Sequence, residues 1–301
     1  MIICDTHCDA LWKRAYHPDE PYDVTLENMK KGGISLQVLA LFSGSDPYAD
    51  ISYEVGTKEM EVFRRLQKDE GWEQVFSPME AEEGKTKVML SIEGGEILEG
   101  STERLAEFYE YGIRMVALTW NRENEIGCPA KGGTKNGIKP QGWKILREME
   151  RLRVAADTSH LNEAGFWDLI DRHGQPPMAS HSCARHLCDH FRNLTDEQIR
   201  AMIARGGWIG VNFYPRFLSE DGRADVKTLC DHIDYICQMG GEHHVGLGSD
   251  FDGIEIAPEG LKNPADVPNI FAELRRRGYS EEAIADIAGR NFQAYYRRLG
   301  W

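Results

Sequence analysis

A formal net charge of -14 on a chain of 301 residues disfavours polyanionic partners, because nucleic-acid binding depends on lysines and arginines that neutralise phosphates. The hydrophobic fraction of 41% and the charged fraction of 28% are typical of a globular protein. No stretch approaches the roughly 18 apolar residues needed to cross a bilayer, so we expect neither a nucleic acid nor a membrane as a partner.

Residues 1–10 contain no basic segment, no apolar h-region and no small-residue cleavage site, which favours a cytoplasmic location. The cysteines are seven in number, scattered along the chain and without a CxxC pair. This pattern indicates reduced thiols and gives no support to a disulfide framework or a cysteine zinc site.

Short apolar runs rich in Val, Ile and Leu recur along the chain, and segments of helical period lie between them. The runs are residues 1–4, 34–42, 87–92, 115–119, 153–156, 177–180, 208–212 and 244–248. The helical segments include residues 53–68, 102–111, 142–151, 162–172, 195–205 and 225–239.

Strands that alternate with helices imply parallel pairing, and eight such units close a barrel. The sequence therefore predicts an α/β fold of the (β/α)8 TIM-barrel type, with residues 1–301 as a single catalytic domain. An open doubly wound sheet is the competing arrangement, but no GxGxxG turn follows the first run.

Two residues with metal-binding side chains, His7 and Asp9, follow the first run. Side chains alternate along an extended strand, so we expect these two to point to one side and Cys8 to the other. In isolation such a pair more often caps a turn, but it also suits a chelating role.

Further acidic and imidazole side chains follow later runs. Glu93 ends the third run before two glycines, and a carboxylate there can bridge two cations, whereas we expect its neighbour Glu96 to be solvated. His160 and His181 follow the fifth and sixth runs. Imidazoles together with carboxylates suit Zn²⁺ or a similar borderline cation.

Two acids and one arginine complete the candidate set. Asp250 and Asp252 follow the eighth run, and one of them can shuttle a proton. Arg192, after the sixth run, can hold an anionic substrate group by a two-pronged hydrogen bond. Because the carboxyl ends of the strands share one face of a parallel barrel, we expect all these residues to converge there.

The short motifs around these residues occur in a characteristic order: Asp-Thr-His-Cys-Asp, Ser-Ile-Glu-Gly, Asp-Thr-Ser-His, Ser-His-Ser, Arg-Asn and Gly-Ser-Asp-Phe-Asp-Gly. In this order they resemble the renal dipeptidase, or membrane dipeptidase, family (peptidase family M19). The resemblance covers essentially the whole chain, since residues 271–274 and 289–292 are similar to that family's closing helices.

The resemblance implies a metallo-dipeptidase that hydrolyses the peptide bond of small dipeptides with two zinc ions or similar divalent cations. It implies that His7 and Asp9 bind one zinc, that His160 and His181 bind the other, and that Glu93 bridges both. A hydroxide between the metals would then be the nucleophile.

The resemblance also assigns substrate contacts. It implies that Asp250 passes the proton to the leaving amine, that Arg192 grips the terminal carboxylate of the dipeptide, and that Tyr214 lines the pocket. The chain departs from the family at Trp120, where these dipeptidases usually place a histidine that helps bind the substrate carbonyl oxygen. An indole cannot accept a hydrogen bond or carry positive charge, so we expect Trp120 to be a pocket wall.

Two other interpretations stay open at this point. One is a related binuclear amide or ester hydrolase of the amidohydrolase type, although this chain has His-x-Asp where many of those enzymes have His-x-His. The other is a non-catalytic metal-binding relative, against which the complete set of candidate ligands argues. The sequence leaves open the dipeptide preference, the metal and the oligomeric state, a homodimer included.

Overall fold

The computed structural model describes residues 1–45 and 51–301, and within these ranges the chain forms nine strands that pair in parallel. The strands are β1 (Cys4–Asp5), β2 (Leu36–Phe42), β3 (Glu73–Gln74), β4 (Lys87–Glu93), β5 (Ile113–Ala117), β6 (Ala155–Asp157), β7 (Met178–Ala179), β8 (Trp208–Val211) and β9 (Val245–Leu247). Each of the eight predicted apolar runs contributes one strand, and β3 is the strand that the pattern did not predict.

Eight of these strands close into a barrel in the order β1, β2, β4, β5, β6, β7, β8, β9. The pairing of Asp5 with Leu247 joins β9 back to β1. The extra strand β3 pairs only with the first two residues of β4, before β5 joins β4 at Leu90. The predicted TIM-barrel fold is therefore confirmed.

Helices connect the strands and cover the outside of the barrel. Within the described ranges they are α1 (Ala10–Tyr16), α2 (Leu26–Gly32), α3 (Ser52–Arg65), α4 (Thr102–Tyr111), α5 (Pro140–Leu152), α6 (Glu163–Arg172), α7 (Asp196–Ala204), α8 (Pro215–Leu218), α9 (Val226–Ile236), α10 (Pro268–Arg276), α11 (Glu281–Ala285) and α12 (Asn291–Arg298). In α7, Thr195 and Gln198 form a reciprocal capping box, which fixes the start of the helix. None of the helices in the described part of the chain has the length and apolar character to cross a membrane.

The core has two layers because side chains alternate along each strand. Leu39 and Leu41 of β2 face the helices and belong to the larger cluster, whereas Leu36 and Val38 belong to a smaller inner cluster. The inner cluster also contains Phe292 of α12, which packs on strand residues near the amino-terminal end of the barrel. The polar candidate residues lie at the opposite, carboxyl-terminal end of the barrel.

Candidate metal centre

Glu93, the last residue of β4, lies between two groups of candidate metal ligands. Its Oε1 is 3.0 Å from Nε2 of His160 and 3.5 Å from Nε2 of His181. Its Oε2 is 3.7 Å from Nε2 of His7. The two oxygens of one buried carboxylate therefore face two different sets of imidazoles, which is the arrangement that a bridging ligand requires.

The first set gathers three carboxylates around His7. Nε2 of His7 lies 3.5 Å from Oδ2 of Asp9 and 3.5 Å from Oδ1 of Asp250. Burial alone would lower the pKa of His7, but Glu93, Asp9 and Asp250 together raise this pKa to about 10. The surplus of negative charge at this point favours a bound cation.

The second set consists of two neutral imidazoles. Burial, reinforced by the positive charges of Arg192 and His7, holds the pKa values of His160 and His181 well below the ordinary value. Their Nε2 atoms are 3.1 Å apart. A metal ion binds the neutral form of histidine, so both rings are in the form that a cation needs.

The donor atoms fit divalent cations. His7, Glu93 and His181 form one group whose ligand atoms lie within 4.8 Å of one another, and His7, Asp9 and Asp250 form a second. Among the described residues, Nε2 of His7 and Oδ1 of Asp9 are buried without a hydrogen-bond partner. Buried polar atoms are rarely left unpaired, so these two point to a ligand that binds between them.

A hydrogen-bond relay orients His181. Ser180 donates its hydroxyl proton to Oδ2 of Asp157, and the same oxygen, Oγ, lies 2.7 Å from Nδ1 of His181. A hydroxyl has one proton, so Nδ1 of His181 must be the donor toward Ser180. That tautomer leaves the Nε2 lone pair free for a cation, as outer partners of metal-binding histidines commonly arrange.

An equivalent contact between Asp5 and Ser249 fixes the half of the centre that contains His7. The backbone N–H and the hydroxyl of Ser249 donate to the two carboxylate oxygens of Asp5, over 2.8 and 2.5 Å. This contact ties the end of β1, which leads into His7, to the end of β9, which leads into Asp250. Asp5 and Asp157 thus have equivalent positions in the two halves, each bound to a serine that precedes a site residue.

Three of the candidate residues have an unusual backbone. His160, Asp250 and Asp252 lie in the left-handed region, with φ values of 67°, 66° and 66°. Such a conformation is uncommon for a residue with a Cβ atom and persists only where the surrounding structure fixes it. Here Nδ1 of His160 lies 3.2 Å from Oδ1 of Asn121, and Nδ2 of Asn212 donates to Oδ2 of Asp250 over 2.8 Å.

The acids of the final motif have different surroundings. Burial raises the pKa of Asp250 to about 6, and its Oδ1 faces the centre. Asp252 instead accepts backbone hydrogen bonds from Asp23 and Val24, over 2.8 and 3.1 Å, and contacts Lys13 at 3.2 Å. Asp252 therefore holds a loop in place, and Asp250 is the acid with a free oxygen in the site.

Glu96, which we expected to be solvated, is buried, so that expectation is wrong. Gly94, with a φ of 95°, turns the chain sharply after β4. A Cβ on Gly95 would lie 2.6 Å from the carbonyl oxygen of Leu118, so glycine permits a close approach to the next loop. The turn carries Glu96 beneath that loop.

A cavity of about 650 Å³ opens above the centre, and Trp120 and Tyr214 line it together with Asp9, Glu93 and Asp250. Arg192 does not line this cavity but a second one of about 500 Å³. Its side chain is buried, and among the described residues Nε has no hydrogen-bond partner. The guanidinium lies 5.5 Å from the ring of Phe217, which lines the cavity above the centre.

Comparison with known proteins shows the family to which this chain is similar. The sequence profile of the membrane dipeptidase family, peptidase family M19, matches residues 1–298. A protein in the pqqA 5′ region of Klebsiella pneumoniae is 38% identical over 221 residues, which are 70% of this chain and 81% of that protein. A dipeptidase of Schizosaccharomyces pombe is 38% identical over 207 residues, or 67% of this chain and 51% of that protein. This chain thus spans about half the length of the yeast relative.

Solved structures share the whole fold. A metallo peptidase from Rhodobacter sphaeroides, liganded with a phosphinate mimic of the dipeptide L-Ala-D-Ala, superposes with a TM-score of 0.92 at 24% identity, over 100% of this chain and 99% of that one. A dipeptidase of family M19 superposes with a TM-score of 0.90 at 26% identity, over 99% and 98% of the two chains. These proteins therefore share the overall fold of this chain.

Proposed function

Because this chain belongs to the membrane dipeptidase family, a family of metal-dependent peptide-bond hydrolases, we propose that it cleaves small dipeptides with two divalent cations. The main support for the proposal is the orientation of the Glu93 carboxylate. Its Oε1 faces His160 and His181, and its Oε2 faces His7. A single carboxylate that faces both imidazole sets suits a pair of cations better than one.

His7 and Asp9 would hold one cation, His160 and His181 the other, and Glu93 both. The mixture of imidazole and carboxylate donors suits zinc. When bound, the two cations supply an activated water for attack on the peptide carbonyl and neutralise the charge that builds on its oxygen.

Asp250 is the residue that we assign to proton transfer. Asn212 binds its Oδ2 and leaves Oδ1 facing the centre, so the carboxyl group has a fixed orientation. A carboxylate held in this position can accept a proton from one group in the site and pass it to another. Asp250 would thus take the proton of the attacking water and give it to the leaving amine nitrogen.

The binuclear proposal is tested by adding Zn²⁺ stepwise to metal-free protein while dipeptide hydrolysis is followed. We expect turnover to rise fully only after the second equivalent, because each cation has its own ligand set. His186→Ala, which removes an exposed histidine, is the control and should give the same titration curve. Full turnover with one equivalent, or without metal, would contradict the proposal.

We assign the C-terminal carboxylate of the dipeptide to Arg192, a buried cation whose Nε is unpaired within the described ranges. Arg192→Ala should raise KM by roughly 10- to 100-fold for free dipeptides, on the scale of a lost charge-assisted pair, and much less for C-terminally amidated ones. The exposed Arg200, which pairs with Asp196 on α7, provides the control variant Arg200→Ala. Equal losses on both kinds of substrate would remove Arg192 from this role.

A further inference from the structure

Three aromatic side chains form a continuous surface on one side of the cavity above the metal centre. Trp12, Phe42 and Trp120 all line this cavity, and we call them the aromatic wall. The ring centroids of Trp12 and Phe42 are 4.9 Å apart, and those of Phe42 and Trp120 are 4.8 Å apart. Both contacts are edge-to-face, which is a favoured geometry for aromatic pairs.

The aromatic wall is held firmly at its centre. Phe42 is the last residue of β2, and its backbone N–H donates to Oε2 of the buried Glu59 over 2.7 Å. Trp12 lies in α1, one turn after the candidate ligand Asp9. The ring of Trp120 is 6.2 Å from that of His160. The wall therefore stands directly beside the groups that we assign to the cations.

The order of strands around the barrel places Phe42, the central ring of this wall, opposite the proposed carboxylate site. Trp12, Phe42 and Trp120 follow or end β1, β2 and β5. Arg192 and Tyr214 follow β7 and β8. In a closed ring of eight strands each strand faces the one four positions away, so β2 faces β7, whereas β1 and β5 on either side face β6 and β9. The metal centre lies between the two sides.

We propose that the aromatic wall binds the side chain of the N-terminal residue of the dipeptide and selects a large apolar side chain, above all an aromatic one. The inference rests on the proposed function, because a C-terminal carboxylate at Arg192 and a peptide bond at the metal centre leave the N-terminal residue on the opposite side. Apolar pockets discriminate side chains of different size by roughly 10- to 100-fold in kcat/KM.

The test compares three dipeptides, Phe-Ala, Ala-Phe and Ala-Ala, with zinc-loaded protein. We expect kcat/KM for Phe-Ala to exceed the values for the other two by about tenfold or more. Phe42→Leu and Trp120→Leu should each bring the ratio of Phe-Ala to Ala-Ala toward one. Phe76→Leu, which changes a partly exposed ring next to Arg114 outside the cavity, is the control and should leave the ratio unchanged.

Calorimetric binding of the same dipeptides to metal-free protein provides a readout that does not depend on turnover. Tighter binding of Phe-Ala than of Ala-Phe, with the difference lost in Phe42→Leu, would support the inference about the aromatic wall. If this difference is found but no dipeptide is hydrolysed, the proposed function is overturned and the inference about the wall stands. A preference for Ala-Phe, no preference, or a preference that both wall variants retain would overturn the inference about the wall.

Discussion

Glu93→Gln is expected to release both divalent cations together and to lower dipeptide turnover by on the order of 10³-fold, the scale of lost electrostatic stabilisation in an active site. The substitution removes the negative charge and replaces one of the two ligand oxygens by an amide NH2 group, which donates hydrogen bonds and does not bind a cation. Because Oε1 and Oε2 face different imidazole sets, either orientation of the amide deprives one set of its shared ligand, and the lost negative charge weakens cation binding at the other set.

Metal content per chain, measured on purified protein after dialysis, checks this result. Glu96→Gln is the matched control, because Glu96 is a second buried acid three residues further along the same turn but is not in the ligand set. It should retain both cations. Two cations per chain in Glu93→Gln would show that Glu93 does not bridge them.

Asp250→Asn is expected to keep both cations and a near-normal KM while kcat falls by roughly 10²-fold or more, the usual effect of losing a positioned proton-transfer group. The amide has nearly the same shape and can still contact Asn212, but it cannot accept and release a proton. Because Oδ1 of Asp250 is only 3.5 Å from Nε2 of His7, metal content separates a role in proton transfer from a role as ligand.

Loss of a cation from Asp250→Asn would make Asp250 a metal ligand and would contradict the assignment. Near-normal kcat in this variant, together with a loss in Asp252→Asn, would move proton transfer to Asp252. We do not expect this second result, since Asp252 accepts hydrogen bonds from the backbone of Asp23 and Val24.

The barrel was predictable because its strands are buried on both faces and so form nearly continuous apolar runs. The predicted bounds of the strands were less accurate: β1 ends at Asp5, and Asp9 already occupies the position just before α1, without a capping hydrogen bond from its side chain. Strand β3 could not be predicted, since Glu73 and Gln74 are polar and pair only with two residues of β4. This strand forms through its contact with β4, and the local sequence pattern contains no signal for that contact.

The candidate ligands could be found because each follows an apolar run, and the barrel brings those ends to one face. The residues that support them were missed. Asp5 and Asp157 do carry a signal, because each stands in an Asp-Thr pair two or three residues before a candidate histidine. Their serine partners come from other strands, so the hydrogen bonds themselves could be seen only in the folded chain.

The contact between Asp5 and Ser249 joins residues that are 244 positions apart, where the last barrel strand meets the first. Closing so long a loop has an entropic cost that the contacts of the closed barrel must offset, so we expect this seam to form late in folding. Because β6 and β7 pair directly, we expect a chain with an open seam to bring His160 and His181 together while the position of His7 is not yet fixed. The two cations of the proposed centre would bind ligands from both halves, so we expect them to stabilise this seam and their uptake during refolding to follow its closure.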